Sequence, residues 1–358
     1  MNYRKAELYS QTDASTAKEE TIDIEIQDII SRIQLKYNST NGSHACTGHP
    51  ALQISSVKIV SGSEVLMQLS GQQIEAIMFY ETGQPRAYEL EYRNGVENRS
   101  VYDIYFGRKL YDPELAFDPT KFKNPQLKIT HNKALGGSTP SASTLEVFAD
   151  VFDEKKVTPS GYIMNKEHHS YAPSASAWER IELPADYPIR KLYLMGTVAD
   201  KWWDNIFDKF KIQEENSKKV PLELDAYDVM SLNISKYGMY KEVIAACSYG
   251  VGTYSWYVTP HETVGIGAIG YGSGSNPYPV GETVGGYISM GTGAVIVWRA
   301  LIEGPIPHGV IPFETGDPAN IDDWWDLRNK GTCKFEVKAT SSPGTLTAYL
   351  VAQQYRKY

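Results

Sequence analysis

"VLMQLSGQQIEAIMFYETG" runs from Val65 to Gly83, and "VPLELDAYDVMSLNISKYG" from Val220 to Gly238. Each opens with the alternation of a strand and then changes period. Ile74 and Ile77 in the first, and Val229 and Leu232 in the second, follow the i, i+3 spacing of a helix face. Ser70, with Gln73 three residues on, reads as an N-cap and capping box, Asp225 holds the same place in the second stretch, and Gly83 and Gly238 close both helices. The stretches align without a gap over 19 positions at an offset of 155, yet only Val65/Val220, Leu69/Leu224 and Gly83/Gly238 are identical. The match is one of pattern, and it predicts a strand–helix unit used twice.

The flanking residues extend the correspondence. "ISRIQLKYN" from Ile30 is answered by "IRKLYLMG" from Ile189, and "VKI" from Val57 by "FKI" from Phe210. "QLKIT…STLEVFADVF" near the middle of the chain is answered by "KFEVKAT…GTLTAYLVAQQY" at its end, now at an offset just over 200. The growth in offset requires about 50 extra residues in the second half. A Gly- and Tyr-rich run at 248–297 supplies them. Its aromatics, Tyr254, Trp256, Tyr257, Tyr271, Tyr278 and Tyr287, are costly to leave bare, which predicts an ordered excursion rather than a disordered loop. Elsewhere "TIDIEIQ" (Ile22, Ile24, Ile26), "AYELEY" (Tyr88, Leu90, Tyr92) and "VYDIYF" (Tyr102, Ile104, Phe106) alternate as short strands do.

The fold class predicted is all-β: two tandem eight-stranded jelly rolls, each with one short helix, plus an N-terminal arm. The reading places a polar arm at 1–20, the first roll at 21–155, a Pro/Ser/Ala-rich linker at 156–184, and the second roll at 185–358 with its insertion at 248–297. A repeat of this period is a domain duplication, not a solenoid.

Composition narrows the function. The chain has 358 residues and a net charge of -8, and no clustered Lys and Arg suit a nucleic-acid backbone. Cys46, Cys247 and Cys333 are odd in number and far apart, against a disulfide framework. The opening "MNYRKAELYSQTDAS" lacks a signal-peptide core, and no run approaches 18 apolar residues, so the expectation is folding in a reducing cytoplasm without a membrane span.

Candidate chemistry is sparse. "GIGAIG" (Gly265, Gly267, Gly270) matches a dinucleotide fingerprint literally, but "YGSGSNPYP" after it cannot be the required helix, so it reads as a glycine-rich loop. "HACTGH" (His44, Cys46, His49) lacks finger spacing and reads as an exposed loop. His168 and His169 are adjacent in an extended segment and point opposite ways. "DDWWD" (Asp322, Asp323, Trp324, Trp325, Asp326) offers carboxylates beside aromatic platforms, or a turn with two packed Trp. The site residues expected are none for catalysis, cofactor or metal.

On "ISRIQLKYN" with "VLMQLSGQQIEAIMFYETG", and "LPADYPIRKLYLMG" with "VPLELDAYDVMSLNISKYG", the chain resembles the double jelly-roll major capsid proteins of the adenovirus and tectivirus lineage. It looks most like those of tailless, membrane-containing bacterial viruses. The resemblance implies a non-enzymatic virion protein, made in the host cytoplasm, whose homotrimers are pseudo-hexameric and tile an icosahedral shell. It implies neighbouring capsomers and minor or penton proteins as partners, no direct nucleic acid, and contact of the N-terminal arm with an internal lipid membrane through Arg4 and Lys5. The alternatives are a two-jelly-roll glycan-cleaving hydrolase and a phage receptor-binding or lectin-like module.

Overall fold

The computed structural model describes residues 1–358 except 249, 272–276, 282 and 293–295. Eight strands from the first part of the chain form two sheets. Tyr3–Asp13, Ala142–Phe152, Ile30–Thr40 and Glu97–Tyr105 lie side by side in one, and Lys18–Asp23, Pro125–His131, Ile54–Ser61 and Glu64–Leu69 in the other. Eight more repeat the arrangement. Gly161–Tyr171, Ala348–Lys357, Ile189–Met195 and Val310–Glu314 form one sheet, and Trp178–Glu182, Cys333–Ala339, Phe207–Glu214 and Lys219–Asp225 its facing sheet. With strands counted from one to eight within each roll, both rolls have the order 1-8-3-6 in one sheet and 2-7-4-5 in the other. This is the jelly-roll order, realised twice. The rolls touch edge to edge through a parallel pair at Gln68 and Lys166.

Each roll buries the alternating apolar residues of its two sheets against each other. Ile33, Leu35, Ile59, Leu127 and Val147 lie in the first core, and Leu192, Phe210, Phe313, Phe335 and Leu350 in the second. In both, the fifth strand leads into a helix of 12 residues: α1 (Gly71–Thr82) and α2 (Ala226–Tyr237). The capping box at Ser70 and Gln73 is formed, and Gly83 takes φ 69° as a left-handed C-cap. Asp225 occupies the N-cap of α2 without a capping bond and pairs with Lys209 instead. The two caps should therefore respond differently. Ser70→Ala is expected to lower unfolding stability by about 1 kcal/mol, whereas Asp225→Ala should change the urea midpoint little; equal shifts would contradict the assignment.

Two boundaries read from sequence are corrected. Residues 1–20 are not a free arm: Tyr3–Asp13 is an edge strand paired with 142–152, and Lys18–Asp23 pairs with 125–131. Edge strands carry charge on their open side, and in Tyr3–Asp13 only Ala6 is buried, so the period-2 signal is faint. Arg4 and Lys5, assigned above to anionic lipid, are ion-paired with Asp28 and Asp150. Nor is 156–184 a linker, because Gly161–Tyr171 and Trp178–Glu182 are the first two strands of the second roll. Residues 161–165 are all buried, Tyr162 and Met164 within the first roll's core cluster and Ile163 against Leu115, Trp324 and Tyr355, which erases alternation.

The excursion is also larger than 248–297. It spans Tyr240–Gly304 and stands between α2 and the sixth strand of the second roll. Tyr240–Ser248, Ile296–Gly304 and Gly265–Tyr271 form a sheet with Leu90–Glu91, a segment of the first roll's helix-to-strand connection. Gly252–Tyr257, Tyr287–Thr292 and Tyr278–Pro279 form a second, smaller sheet. Between them lies a separate core that includes Trp256, Trp298, Ile288 and Ile302, with Leu90 and Tyr92 contributed by the first roll. This tower thus packs mainly on itself, although Tyr257 and Tyr278 remain exposed.

Candidate functional site

The feature that stands out is the junction where α1 meets the second roll. α1 is buried nearly all round, because one side covers its own roll and the other lies on the outer face of the 1-8-3-6 sheet of the next. The Tyr80 hydroxyl donates to the Val310 carbonyl at 2.7 Å. The Glu81 carboxylate accepts from Arg190 Nη1 and from the Tyr193 hydroxyl, each at 2.7 Å, and lies 3.1 Å from Lys191 Nζ. Arg190 also donates to Gln353 at 2.6 Å, and Gln353 to Asn165 at 2.9 Å. Burial alone would raise the Glu81 carboxyl, but the two cations beside it bring it down to about 2. A buried carboxylate with two cations and a hydroxyl is a directional lock between the rolls.

A second buried group lies at the foot of the tower. His49, Glu75 and His308 place ligand-type atoms within 4.8 Å of one another. His49 comes from the turn before Pro50–Gln53, Glu75 from α1, and His308 from the chain returning out of the tower. Such a trio suggests a metal centre, but the hydrogen bonding opposes it. His49 Nδ1 accepts the Ala51 N–H at 3.0 Å, so the neutral ring, by that geometry, carries its proton on Nε2, 3.1 Å from Thr259 Oγ1. A protonated nitrogen has no lone pair for a metal. The chain continues through the Thr259 hydroxyl to Glu242 at 2.7 Å. Glu75 meets His308 at 3.1 Å and the Tyr240 hydroxyl at 3.2 Å, with the buried Arg86 guanidinium at 3.8 Å. These groups form a polar joint tying first roll, tower and second roll together.

The joint has a pH signature. Burial, together with His308 and Arg86, holds His49 well below its ordinary value, and burial takes His261, a buried residue two positions after Thr259, down to about 3. Burial pushes Glu242 up to about 7 against Arg86, while Arg86 and His308 hold Glu75 below its ordinary 4.5 despite burial. From pH 6.5 to 4.5 the unfolded chain takes up two histidine protons that the folded chain refuses, while the folded chain holds a Glu242 proton that the unfolded chain lacks, so stability falls gently. Below pH 4.5 the Glu242 gain is complete, and the histidines, Glu75 and Glu81 all favour the unfolded state. Thermal unfolding across this range should show a shallow slope and then a steep acid loss. A flat profile to pH 3.5 would contradict the joint as described.

The other sequence candidates disperse. "GIGAIG" is neither a phosphate loop nor a loop at all, but the edge strand Gly265–Tyr271 paired with 296–304; the residues 272–276 that follow lie outside those described. Of "HACTGH", only His49 joins the buried trio, and it is buried rather than in an exposed loop. Burial raises the half-buried Cys46 thiol to about 11, leaving it unreactive. His168 and His169 face apart, one to the Glu182 carbonyl at 2.8 Å and the other to the Glu179 carboxylate at 3.0 Å. Asp322 and Asp323 are exposed on a short turn, while Trp324 and Trp325 are buried and donate to Pro318 and Glu214. That motif is the turn with packed Trp. Sequence reading missed Glu81 and Arg190. The available signal was two adjacent cations, Arg190 and Lys191, inside a strand whose other residues are all apolar or aromatic.

Two wired-alike rolls, side by side with a tower on the second, define the double jelly-roll fold. Among solved structures, the STIV MCP matches with a TM-score of 0.60 and 10% identity, over 99% of this chain and 96% of that one. The major capsid protein of bacteriophage PM2 matches with a TM-score of 0.57 and 11% identity, over 99% and 98%. A protein of the PBCV-1 virus capsid matches with a TM-score of 0.56 and 12% identity, over 99% and 94%. At this identity the likeness is one of fold. No protein-family model matches the chain, and no curated protein does.

Proposed function

We propose that this chain is the major capsid protein of an icosahedral virus, acting as a pseudo-hexameric homotrimer and not as an enzyme. The observation that carries the reading is the repeated wiring combined with the head-to-tail contact of α1 on the second roll. A head-to-tail contact between like units generates a ring or an open filament. With two rolls per chain, three copies close a ring of six rolls, a nearly hexagonal block that tiles a shell. The proteins of like fold come from a Sulfolobus icosahedral virus, from the PBCV-1 virus capsid, and from bacteriophage PM2, whose protein is named as its major capsid protein. In this reading the protein is made in the host cytoplasm and resides in the virion. Its partners are itself, neighbouring capsomers, and minor or penton proteins at positions a hexagonal block cannot fill. The tower, built on the helix-bearing ends of the rolls, stands on the outer surface. Purified protein should elute with a mass three times 40.0 kDa, and negative-stain images should show hexagonal blocks with three towers. A stable monomer at micromolar concentration would count against the reading.

A further inference from the structure

Because the two helices align without a gap, each α1 residue has a counterpart in α2 that is 155 positions later. Gln73, Ala76, Ile77 and Tyr80 are buried; their counterparts Asp228, Ser231, Leu232 and Ser235 are exposed. Ile77 is 7% exposed and Leu232 58%. The cause is visible in two matching cavities. The one beside α1 is floored by Leu69, Ile74, Ile77 and Met78, with Glu81 at its rim, and closed over by Ile163, Asn165 and Gln353 of the second roll. The one beside α2 is floored by Leu224, Val229, Leu232 and Asn233, with Lys236 at its rim, and has no such lid.

The strand registers identify the missing lid. Ile33 pairs with Ala149 as Leu192 pairs with Ala352, so Asp150 stands in the first roll where Gln353 stands in the second. Lys5 pairs with Asp150 as Asn165 pairs with Gln353, and Tyr3 with Phe152 as Ile163 with Tyr355. Tyr3, Lys5 and Asp150 are thus the first roll's version of the lid, on a sheet face where Lys5 is exposed and Tyr3 and Gln34 are half-buried. Within one chain they lie on the roll that does not carry α2.

We propose that α2 docks on the outer 1-8-3-6 face of the first roll of a second copy, with Tyr3, Lys5 and Asp150 closing the groove at Leu232. Most of the charged positions at the contact change between the two rolls. Where Glu81 meets Arg190, Lys191 and Gln353, the corresponding set is Lys236 with Ser31, Arg32 and Asp150: the acid becomes a base, one of the two cations becomes a neutral residue, and the amide becomes an acid that Arg32 and Lys5 already pair. Lys236 already pairs with Glu314 in its own chain, which holds its ammonium at the groove rim. Leu232 and Tyr227, both exposed in the isolated chain, become the apolar centre of the contact. The assignment rests on the capsomer reading and adds to it which surfaces meet.

The test uses the full chain. Leu232→Asp replaces an exposed residue, so the fold should survive, with unchanged far-ultraviolet circular dichroism, while the mass by light scattering falls threefold from that of the wild type. In a background with Cys46, Cys247 and Cys333 replaced by serine, a Tyr3→Cys/Leu232→Cys variant treated with a short bismaleimide should give covalent trimers on a denaturing gel, and neither variant with only one of the two substitutions should. Wild-type trimers, with Leu232→Asp also trimeric and the double-cysteine variant uncrosslinked, would overturn the docking assignment and leave the capsomer reading standing. A wild type that does not self-associate would overturn both.

Discussion

Replacing Glu81 with leucine is expected to lower unfolding stability by about 3–5 kcal/mol, the range for removing one partner of a buried ion pair. The loss comes from what remains. The Arg190 and Lys191 side chains are 5% and 3% exposed, and without Glu81 both cations lose their shared buried counter-charge. Leucine keeps most of the volume, so the change is electrostatic rather than a cavity. Arg190 retains the Gln353 and Pro318 oxygens, and Lys191 retains Glu314 at 3.4 Å, which sets the loss below that of two bare charges. Because Glu81 bridges α1 to the second roll, the effect should show as decoupling: one urea transition in the wild type, two in Glu81→Leu, as each roll unfolds on its own core. Adding Arg190→Met should restore part of the loss, since an apolar pair in place of a buried ion pair is often neutral. A double variant less stable than Glu81→Leu alone would argue that Arg190 acts chiefly by packing over Trp324, whose ring it covers at 5.7 Å.

Trp298→Ala should cost a similar amount, about 3–5 kcal/mol for a buried tryptophan, but in a different place. The Trp298 ring is fully buried, meets Trp256 edge-on at 4.8 Å, and donates its indole N–H to Ser248 at 3.2 Å. Its neighbours belong to the tower core, which is separate from the cores of both rolls. Local opening should therefore precede global unfolding. Hydrogen exchange is expected to speed up in 240–248 and 296–304 while 30–40 and 348–357 stay protected. Uniform loss across all four segments would show that the tower is not a separate cooperative unit. In the trimer reading the variant should still assemble through its rolls, which separates tower stability from ring closure.

Much of the architecture was legible in local pattern. The change from period 2 to period 3.6 after Leu69 and Leu224 located both helices, and the gap-free offset established the duplication before any contact was known. "GYIMNKEHHSY" could not be read as a strand because its first five residues are all buried, Tyr162 and Met164 in one cluster and Ile163 in another. Tyr3–Asp13 failed for the opposite reason, having almost no covered face. Alternation reports a strand only when one side is wet and the other dry. The buried trio was half visible: "HACTGH" drew attention to His49, but Glu75 and His308 lie far along the chain and meet it only through the packing of α1 beneath the tower.

The amino-acid order by itself determined the repeated strand–helix unit, the helix stops at Gly83 and Gly238, and the place of an extra segment in the second half, because these depend on neighbours a few residues apart. Only the tertiary structure decided which copy of the unit is covered. Ile77 and Leu232 sit at the same position of like helices, yet one is buried by the second roll and the other faces outward. Burial belongs to what a residue is placed against: the first helix lies on the second roll, and the matching face of the second helix lies on neither roll of its own chain.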